Sequence, residues 1–378
     1  MAVSQAERAA TMSAARLHAQ LGTTMDRPID VFAITEVLGI WLTSQPLDPG
    51  MYGFYLNTGE AAGICLNRLH PEQLQRYTCA HELGHHVLGH GSNLDGDVEV
   101  RQGSDAASEN ERAAQAFAGA FLMPLPLVNR VMRRLDLSSK PYLSAQDVYQ
   151  VSREMDVSFA AAAWQLTALK KLDIDAAARY VKQGAAAAKA QLRSGDGNST
   201  DVRAALFVID DRHQNVPILC REGDELRFRL PENPSTGYAW TVMDPPQQRP
   251  PSDHALLWDG GDVLHMDKIR LTSDDELKVA TMDEFVSLVS DEHLPAEDDL
   301  THADQSGTRI GEPGTRELVF VTTKVGRQRQ VQLALIRAWT SDTPIDTHRT
   351  EITIAPRHSL DRMSGRQAAA HAVRVAAQ

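Results

Sequence analysis

The stretch CAHELGHHVLGH, residues 79 to 90, holds four of the fourteen histidines of this 378-residue chain. His81 and His85 are four residues apart, so on a helix they project from one face and can share a metal ion. Glu82 is rotated to the side of that pair, where it can act as a general base without being a ligand. The stretch therefore predicts a metal site built on a helix.

The alternative interpretation is a surface helix whose histidines are merely solvated. Gly84 argues against it, because glycine inside a helix costs near 1 kcal/mol relative to alanine. Close approach of another element would explain this glycine. His86 and His90 point away from the pair and are expected to be exposed or to support the ligands from behind. Pro71 is expected to begin the helix, and Gly89 and Gly91 to end it.

A catalytic zinc site needs a third protein ligand. Acidic candidates downstream are Asp95, Asp97, Glu99, Asp105, Glu109 and Glu111. Glu111 is favoured, because on a helix starting at Ser108 it shares a face with Ala114 and Ala118, whose small side chains allow tight packing beside the metal helix. However, Ser108 and Glu111 also have the spacing of a capping box, in which the glutamate caps its own helix. Spacing alone leaves both interpretations open.

Composition limits the classes of partner. The formal net charge of −12 argues against a general nucleic-acid or anionic-membrane binder. No export signal and no run of about eighteen apolar residues is visible, and the three scattered cysteines suit a reducing compartment. Residues 144 to 170 could suggest a helix-turn-helix, but the second helix lacks basic residues until Lys170 and Lys171, so two packing helices are preferred. We therefore expect a cytoplasmic protein with protein partners, no direct nucleic-acid binding and no membrane contact.

The length favours two domains. The first half, 1–181, reads as mainly α with a small β-sheet: helices are predicted at 5–21, 30–39, 71–89, 108–123, 125–135, 144–154 and 158–171, and strands at 52–56 and 63–67. A flexible linker is predicted at 182–203. The second half, 204–356, alternates apolar and polar residues at 225–230, 317–323, 331–337 and 350–354, which predicts an all-β sandwich with a long solvated insertion at about 244–313 and a tail at 357–378.

The first half resembles the ImmA/IrrE family of metallopeptidases over roughly residues 25 to 170. The motif YTCAHELGHHVLGH is followed by ENERAAQAFAGAFLMP, in which Gln115 and Phe121 depart from the family pattern. The resemblance implies a zincin-like α+β domain in which His81, His85 and Glu111 bind zinc and Glu82 is the catalytic base. Imidazole and carboxylate ligands also suit manganese or iron. It further implies peptide-bond hydrolysis, with a helix-turn-helix repressor as one class of protein substrate.

The second half resembles the chagasin-type inhibitors of papain-like cysteine peptidases, which use an immunoglobulin-like β fold and three loops at one edge. The residues that carry the resemblance are Asn233, Pro234, Ser235, Thr236, Gly237, Arg337 and Trp339. Ser235 stands where the family has threonine, and Ala338 where it has proline. The resemblance implies a papain-like cysteine peptidase as a partner.

Two hypotheses follow. The first is a zinc metalloendopeptidase whose β domain recruits a protein, restrains the peptidase or acts on a foreign cysteine peptidase. The second is a protein-binding cysteine-peptidase inhibitor that carries a metal-binding, non-catalytic first domain.

Overall fold

The computed structural model describes residues 4–91, 108–193, 201, 203–243, 281–283, 285–295, 313–337 and 343–356. The helices are α1 (Gln5–Leu21), α2 (Val31–Val37), α3 (Glu72–Val87), α4 (Glu109–Leu122), α5 (Leu125–Arg134), α6 (Ala145–Glu154), α7 (Phe159–Ala168), α8 (Ile174–Gln183) and α9 (Ala185–Leu192). The strands of the first region are β1 (Trp41–Gln45), β2 (Gly53–Asn57) and β3 (Ala62–Asn67).

In the first region, helix α3 lies between a small sheet and helix α4. The sheet has the order β1-β3-β2, with β1 parallel and β2 antiparallel to the central β3. Helix α3 lies against β2 and β3 on one side and against α4 on another, and α4 also packs on α1. Helix α3, which carries His81 and His85, thus contacts the sheet and the helix that carries Glu111.

Helix α3 has the ends that its sequence predicts. Pro71 precedes its first residue, and Gly89 follows its last turn in a left-handed conformation with φ +72°, which glycine adopts at little cost. The residues from Thr78 to His85 are all buried, including the polar ones. Buried polar groups are costly unless they are paired, so the inner half of this helix carries polar side chains for a specific use.

The second region is a sandwich of two sheets. Its strands are β4 (Leu206–Ile209), β5 (Ile218–Arg221), β6 (Glu225–Glu232), β7 (Tyr238–Val242), β8 (Thr281–Asp283), β9 (Val286–Pro295), β10 (Gly314–Thr322), β11 (Gly326–Arg337) and β12 (Asp346–Ala355). One sheet has the order β4-β6-β10-β9-β8 and the other β5-β12-β11-β7. Alternate side chains of both sheets, such as Phe228 and Phe320 on one and Val331 and Ile352 on the other, form one apolar core. The predicted class, an α-rich domain followed by an all-β domain, is confirmed.

Two segment predictions are wrong in part. Residues 281–283 and 286–295, placed in the solvated insertion, form β8 and β9, and β9 pairs with β10 along its whole length. Acidic residues flank the apolar positions of β9 on both sides, so the composition of the whole segment favoured a solvated insertion. Residues 244–280 and 296–312 lie outside the described residues, as does the tail.

The linker prediction also changes. The chain remains helical through α9, whose Ala188 and Leu192 join the core of the first domain. Alanine has the highest helix propensity of all residues, so an alanine-rich composition favours a packed helix over a mobile linker. Of the predicted linker, 194–200 and 202 lie outside the described residues. Within the part of the chain that the structure describes, no helix is long and apolar enough to cross a membrane.

Candidate metal centre and interdomain interface

The structure brings His81, His85 and Glu111 together. The Nε2 atoms of the two histidines are 3.1 Å apart. Glu111 Oε2 lies 3.1 Å from His81 Nε2, and Glu111 Oε1 lies 3.3 Å from His85 Nε2. Both histidines are buried, and the glutamate side chain is 13% exposed. Candidate ligand atoms from α3 and α4 therefore converge on one point.

The structure distinguishes the two interpretations of Glu111, as part of a capping box or as a group beside the histidines. The Ser108 hydroxyl accepts a hydrogen bond from the Glu111 backbone N–H at 3.2 Å, so Ser108 does cap α4. A capping box would also require the glutamate carboxylate to bond the Ser108 backbone N–H. Instead the carboxylate lies beside His81 and His85. Serine caps the helix, and glutamate faces the site.

Gly84 explains how α4 comes close enough to do this. A Cβ atom at Gly84 would meet Phe117 Cδ1 at 3.1 Å and the Ala114 Cα and carbonyl oxygen at 3.3 Å. These separations are tighter than ordinary van der Waals contact. Ala114 lies one turn after Glu111, so the close approach at this glycine sets the depth at which the carboxylate enters the site. The predicted close approach of another element at Gly84 is confirmed.

The donor set fits a divalent cation. Zinc–ligand distances of about 2.0–2.1 Å place two ligands of a tetrahedral site about 3.3 Å apart, close to the separations found between these atoms. Burial lowers the pKa of His81, although Glu111 opposes it, which favours the neutral imidazole that binds metals. Burial raises the pKa of Glu111, but the hydrogen bonds to His81 and His85 outweigh it and lower that pKa well below its usual range.

Glu82 and His86 flank the ligands on α3. Glu82 is 3% exposed, so it is a buried carboxylate next to His81, as a general base of this site would be. His86 is partly buried and faces the other way: its Nδ1 lies 2.8 Å from the hydroxyl of Tyr55, on β2. His90 Nδ1 lies 3.0 Å from His85 Nδ1, on the side of that ring opposite the site. Neither His86 nor His90 joins the converging group.

A second buried polar cluster joins the two domains. We call it the interdomain ion cluster, and it consists of Glu72, Arg76, Asp156 and Arg221. Arg221, at the end of β5, places Nη1 3.0 Å from Asp156 Oδ1 and Nη2 3.1 Å from Asp156 Oδ2, and its Nε donates to Glu72 at 3.2 Å. Arg76 Nε donates to the Asp156 backbone carbonyl at 3.1 Å. Glu72 is the first residue of α3, so the β domain is attached to that helix directly.

A neighbouring network reinforces the same interface. His213, on a short 3-10 turn after β4, lies 2.8 Å from Asp210 and 3.3 Å from Glu154 at the end of α6. Burial would lower the pKa of His213, but the hydrogen bonds to Asp210 and Glu154 raise it to about 9. Glu154 also pairs with Arg134 at 2.5 Å. This histidine is therefore charged at neutral pH and holds the first domain through Glu154.

The inhibitor-type residues lie at the other end of the sandwich. Strand β6 starts at Glu225, which pairs with Arg193 of the first domain at 3.1 Å, and ends at Glu232, next to the loop 233–237. Seven residues at about 3.3 Å each separate these ends by about 23 Å. In the loop, Asn233 Oδ1 accepts from the Ser235 backbone N–H at 3.2 Å.

The same end carries Arg337. The guanidinium of this residue lies 4.5 Å from the centre of the Tyr238 ring, which places the end of β11 beside the start of β7. Gly237 has φ +77° and closes the turn, whose Ser235 and Thr236 are exposed and whose Pro234 is partly buried. Trp339 lies outside the described residues. Within the described chain, the loop 233–237 and Arg337 are thus neighbours at one edge.

Sequence reasoning missed the interface residues. Arg221 and Glu72 are 149 positions apart, and Arg221 and Asp156 are 65 apart. Single charges at such separations follow no local period. The sequence offers a local signal only at Asp156. Aspartate and asparagine tolerate the left-handed conformation better than most residues, and Asp156 adopts it after α6, with φ +50°. That signal indicates a helix end and says nothing about its partner.

Comparisons with known proteins agree with both halves of this description. Residues 35–165 match the family model of the IrrE N-terminal-like domain, a peptidase family, and residues 220–354 match that of the chagasin family peptidase inhibitor I42. Each match covers less than half of the chain. A comparison with curated proteins gives no match.

Several solved structures are similar to about two fifths of this chain. They include the cysteine protease inhibitor EhICP2 from Entamoeba histolytica, with 16% identity over 40% of this chain and 95% of that one and a TM-score of 0.25. Amebosin has 17% identity over 40% and 97%, with a TM-score of 0.22. PbICP-C in complex with falcipain-2 has 13% identity over 43% and 96%, with a TM-score of 0.21. The family matches show that the chain joins a segment of the IrrE N-terminal-like peptidase type to a segment of the chagasin inhibitor type.

Proposed function

We propose that this chain is a zinc-dependent endopeptidase with a protein-binding β domain. The observation that carries the proposal is the convergence of His81 Nε2, His85 Nε2 and the Glu111 carboxylate within 4.8 Å of one another. Imidazole and carboxylate together form the ligand set of catalytic zinc sites that leave one position open. Glu82 is buried on the same helix as the two histidines, where it can serve as the general base.

The residues of the chain have separate tasks in this mechanism. His81, His85 and Glu111 would hold the ion, which would supply Lewis-acid polarisation of the scissile carbonyl. Glu82 would take a proton from the attacking water and pass it to the leaving amine. Burial of the histidines excludes bulk solvent, which strengthens the electrostatic interactions in the site.

Strand β2 is the best candidate for positioning an extended substrate. Of the two hairpin strands, β3 is paired on both sides, whereas β2 pairs only with β3 among the described residues. Strand β2 also packs on α3, and the contact between Tyr55 and His86 is one residue away from a proposed ligand. An extended peptide could add to such an edge through backbone hydrogen bonds.

Proteolysis by matched variants tests the enzyme hypothesis. Wild type and Glu82→Gln proteins, each loaded with zinc, would be incubated with a library of denatured-protein peptides, and new amino termini would be read by mass spectrometry. We expect new termini with wild type, none with Glu82→Gln, and none after chelation. The substitution keeps the size of the side chain and removes the base, so equal cleavage by both proteins would contradict the proposed role of Glu82.

The β domain supports a second, compatible function. Its loop 233–237 and Arg337 lie together at one end, whereas Arg221 and Glu225, which pair with residues of the first domain, lie at the other end. The loop is thus at the opposite end of the sandwich from these two contacts. This favours capture of a separate protein, with a papain-like cysteine peptidase as the first candidate, over restraint of the chain's own metal centre.

Inhibition of papain separates the two functions. We expect wild type and Glu82→Gln proteins to slow papain hydrolysis of a chromogenic peptide equally, and Asn233→Ala, which removes the loop acceptor of Ser235, to slow it less. An absence of inhibition by wild type would remove the cysteine-peptidase partner from the proposal and leave the metallopeptidase part intact.

A repressor substrate stays a prediction of the family resemblance. Cleavage of a co-expressed repressor by wild type but not by Glu82→Gln would support it.

A further inference from the structure

His90 is attached to the proposed ligand His85 at two points. The His90 backbone N–H donates to the His85 carbonyl at 2.9 Å, and the N–H of Gly89 donates to the His86 carbonyl at 3.2 Å. With Gly89 in the left-handed conformation, these two bonds form a Schellman motif at the end of α3. The same motif brings the His90 ring to the His85 ring, with 5.0 Å between the ring centres.

The contact between the two rings depends on which ring nitrogen of each histidine carries the hydrogen. His85 Nε2 faces His81 Nε2 at 3.1 Å and Glu111 Oε1 at 3.3 Å. A neutral imidazole that uses the lone pair of Nε2 on this side carries its hydrogen on Nδ1. With a metal ion bound at Nε2, His85 Nδ1 would therefore donate to His90 Nδ1, 3.0 Å away. His90 accepts through Nδ1, so in its own neutral form the hydrogen is on Nε2.

The two proposed histidine ligands are held differently. His81 Nδ1 is buried and has no hydrogen-bond partner among the described groups, whereas His85 Nδ1 has His90. His81 is the seventh residue before Leu88, in the packed interior of α3, whereas His85 stands in the last turn. Both rings are buried, so the hydrogen-bond partner at Nδ1 is the difference between them.

We propose that His90 is a positioning residue of the metal centre, which holds the His85 imidazole in the tautomer and orientation that present Nε2 to the ion. This inference rests on the proposed function, since it assumes that His85 binds metal. Groups that hydrogen-bond to a metal-binding histidine typically change metal affinity 10- to 100-fold when they are removed. His90 is only partly buried, so its substitution leaves the core of the domain intact.

The test measures zinc affinity without measuring activity. The dissociation constant of zinc would be determined by competition with a chromogenic chelator for wild type, His90→Ala and His90→Asn proteins. We expect His90→Ala to bind about 10- to 100-fold more weakly. We expect His90→Asn to recover most of the loss, because its amide oxygen can accept the hydrogen bond from His85 Nδ1.

A matched control is available one residue from the ligand. His86→Ala removes a ring of equal size whose Nδ1 bonds Tyr55 instead of a ligand, and we expect it to leave the zinc affinity within about threefold of wild type, well below the loss expected of a ligand-supporting partner. Cobalt substituted for zinc gives a second readout, because a reoriented His85 changes the visible absorption bands of the bound ion.

The outcomes separate the two proposals. If wild type binds zinc and a folded His90→Ala protein binds it equally well, His90 has no positioning role, although the metal centre stands. If His90→Asn is as weak as His90→Ala, hydrogen-bond acceptance is not the reason for the loss, and the inference fails. If wild type itself does not bind zinc, the metallopeptidase proposal fails and this inference with it.

Discussion

The proposed metal centre and the interdomain ion cluster are two buried polar sites at opposite ends of one helix, and their charges are arranged differently. In the ion cluster, the carboxylates of Glu72 and Asp156 face the guanidinium donors of Arg76 and Arg221. In the metal centre, the converging atoms are two imidazole nitrogens and two carboxylate oxygens, all of which can act as acceptors. In the ion cluster, two negative charges are neutralised by two positive charges. In the proposed metal centre, the converging acceptors fit a bound cation.

The two sites are separated along α3, so different elements of the structure hold them in place. Glu72 precedes His81 by nine residues and His85 by thirteen, which corresponds to about 14 to 20 Å along a helix. The β domain therefore holds the start of the helix, while α4 and the last turn hold the ligands. Changes at the ion cluster are expected to alter stability more than metal binding, and changes at the metal centre are expected to do the reverse.

The largest effect should come from breaking the balanced site. Arg221→Met leaves Asp156 and Glu72 buried without their shared partner, and removing one member of a buried ion pair costs about 3–5 kcal/mol. Chemical denaturation of the full chain would measure the free energy of unfolding. The control Arg27→Met removes an exposed pair with Asp26 and should cost at most about 1 kcal/mol. Equal effects of the two substitutions would contradict the structural importance of the cluster.

Zinc should stabilise the unbalanced site by a comparable but smaller amount. At a free zinc concentration 100-fold above the dissociation constant, binding to the folded state alone adds about 2.7 kcal/mol to the free energy of unfolding. Glu111→Gln should lose most of this gain, because the amide cannot supply the negative charge. Denaturation curves with and without zinc measure both values. A gain that survives in Glu111→Gln would show that the ion binds elsewhere.

Raising the pH should weaken the interface through His213. The pKa of this histidine is raised from an ordinary 6.5 to about 9, so its pairing contributes fully below 6.5 and is lost as pH rises through about 9. Arg134 and Arg212 still pair with Glu154 and Asp210, so we expect a smaller loss than for Arg221→Met. Unfolding free energies measured from about pH 6 to about pH 10 should fall in wild type and stay flatter in His213→Gln. Parallel curves would exclude this role.

The smallest effect is expected at Gly84. A methyl group there must displace Phe117 and Ala114 by a few tenths of an ångström, which shifts α4 and draws Glu111 away from the histidines. Overpacking costs about 1–3 kcal/mol, and the better helix propensity of alanine offsets near 1 kcal/mol of that. Gly84→Ala should therefore lower stability modestly and weaken zinc binding, whereas Gly91→Ala, which meets no atom within 4 Å, should change neither.

The sequence predicted the metal helix and its first two candidate ligands because their information is local. The spacing of His81 and His85 requires only that the segment be helical, and Pro71 and Gly89 mark its ends. The third candidate could not be settled from spacing, because a capping box and a ligand place glutamate at the same position. Only the tertiary structure shows that the carboxylate of Glu111 points to the histidines.

The parts that the sequence did not predict depend on long-range partners. The interdomain ion cluster joins residues up to 149 positions apart, and β1, β4 and β5 are strands of four or five residues. Strand β9 was hidden by its acidic surroundings, and it is stabilised by pairing with β10. Such elements form because of their neighbours in the fold, so local period and composition carry little information about them.

Zinc content per chain is the measurement that tests the account most directly. Purified wild type, His85→Ala and Glu111→Ala proteins would be exposed to zinc, dialysed and analysed by elemental mass spectrometry, with folding confirmed by circular dichroism. The account predicts about one zinc ion per wild-type chain, as expected for a single three-ligand site, and a loss of that ion in both folded variants. A folded wild-type protein that retains no metal, or variants that retain it fully, would contradict the metal centre and leave the β domain as the functional part of the chain.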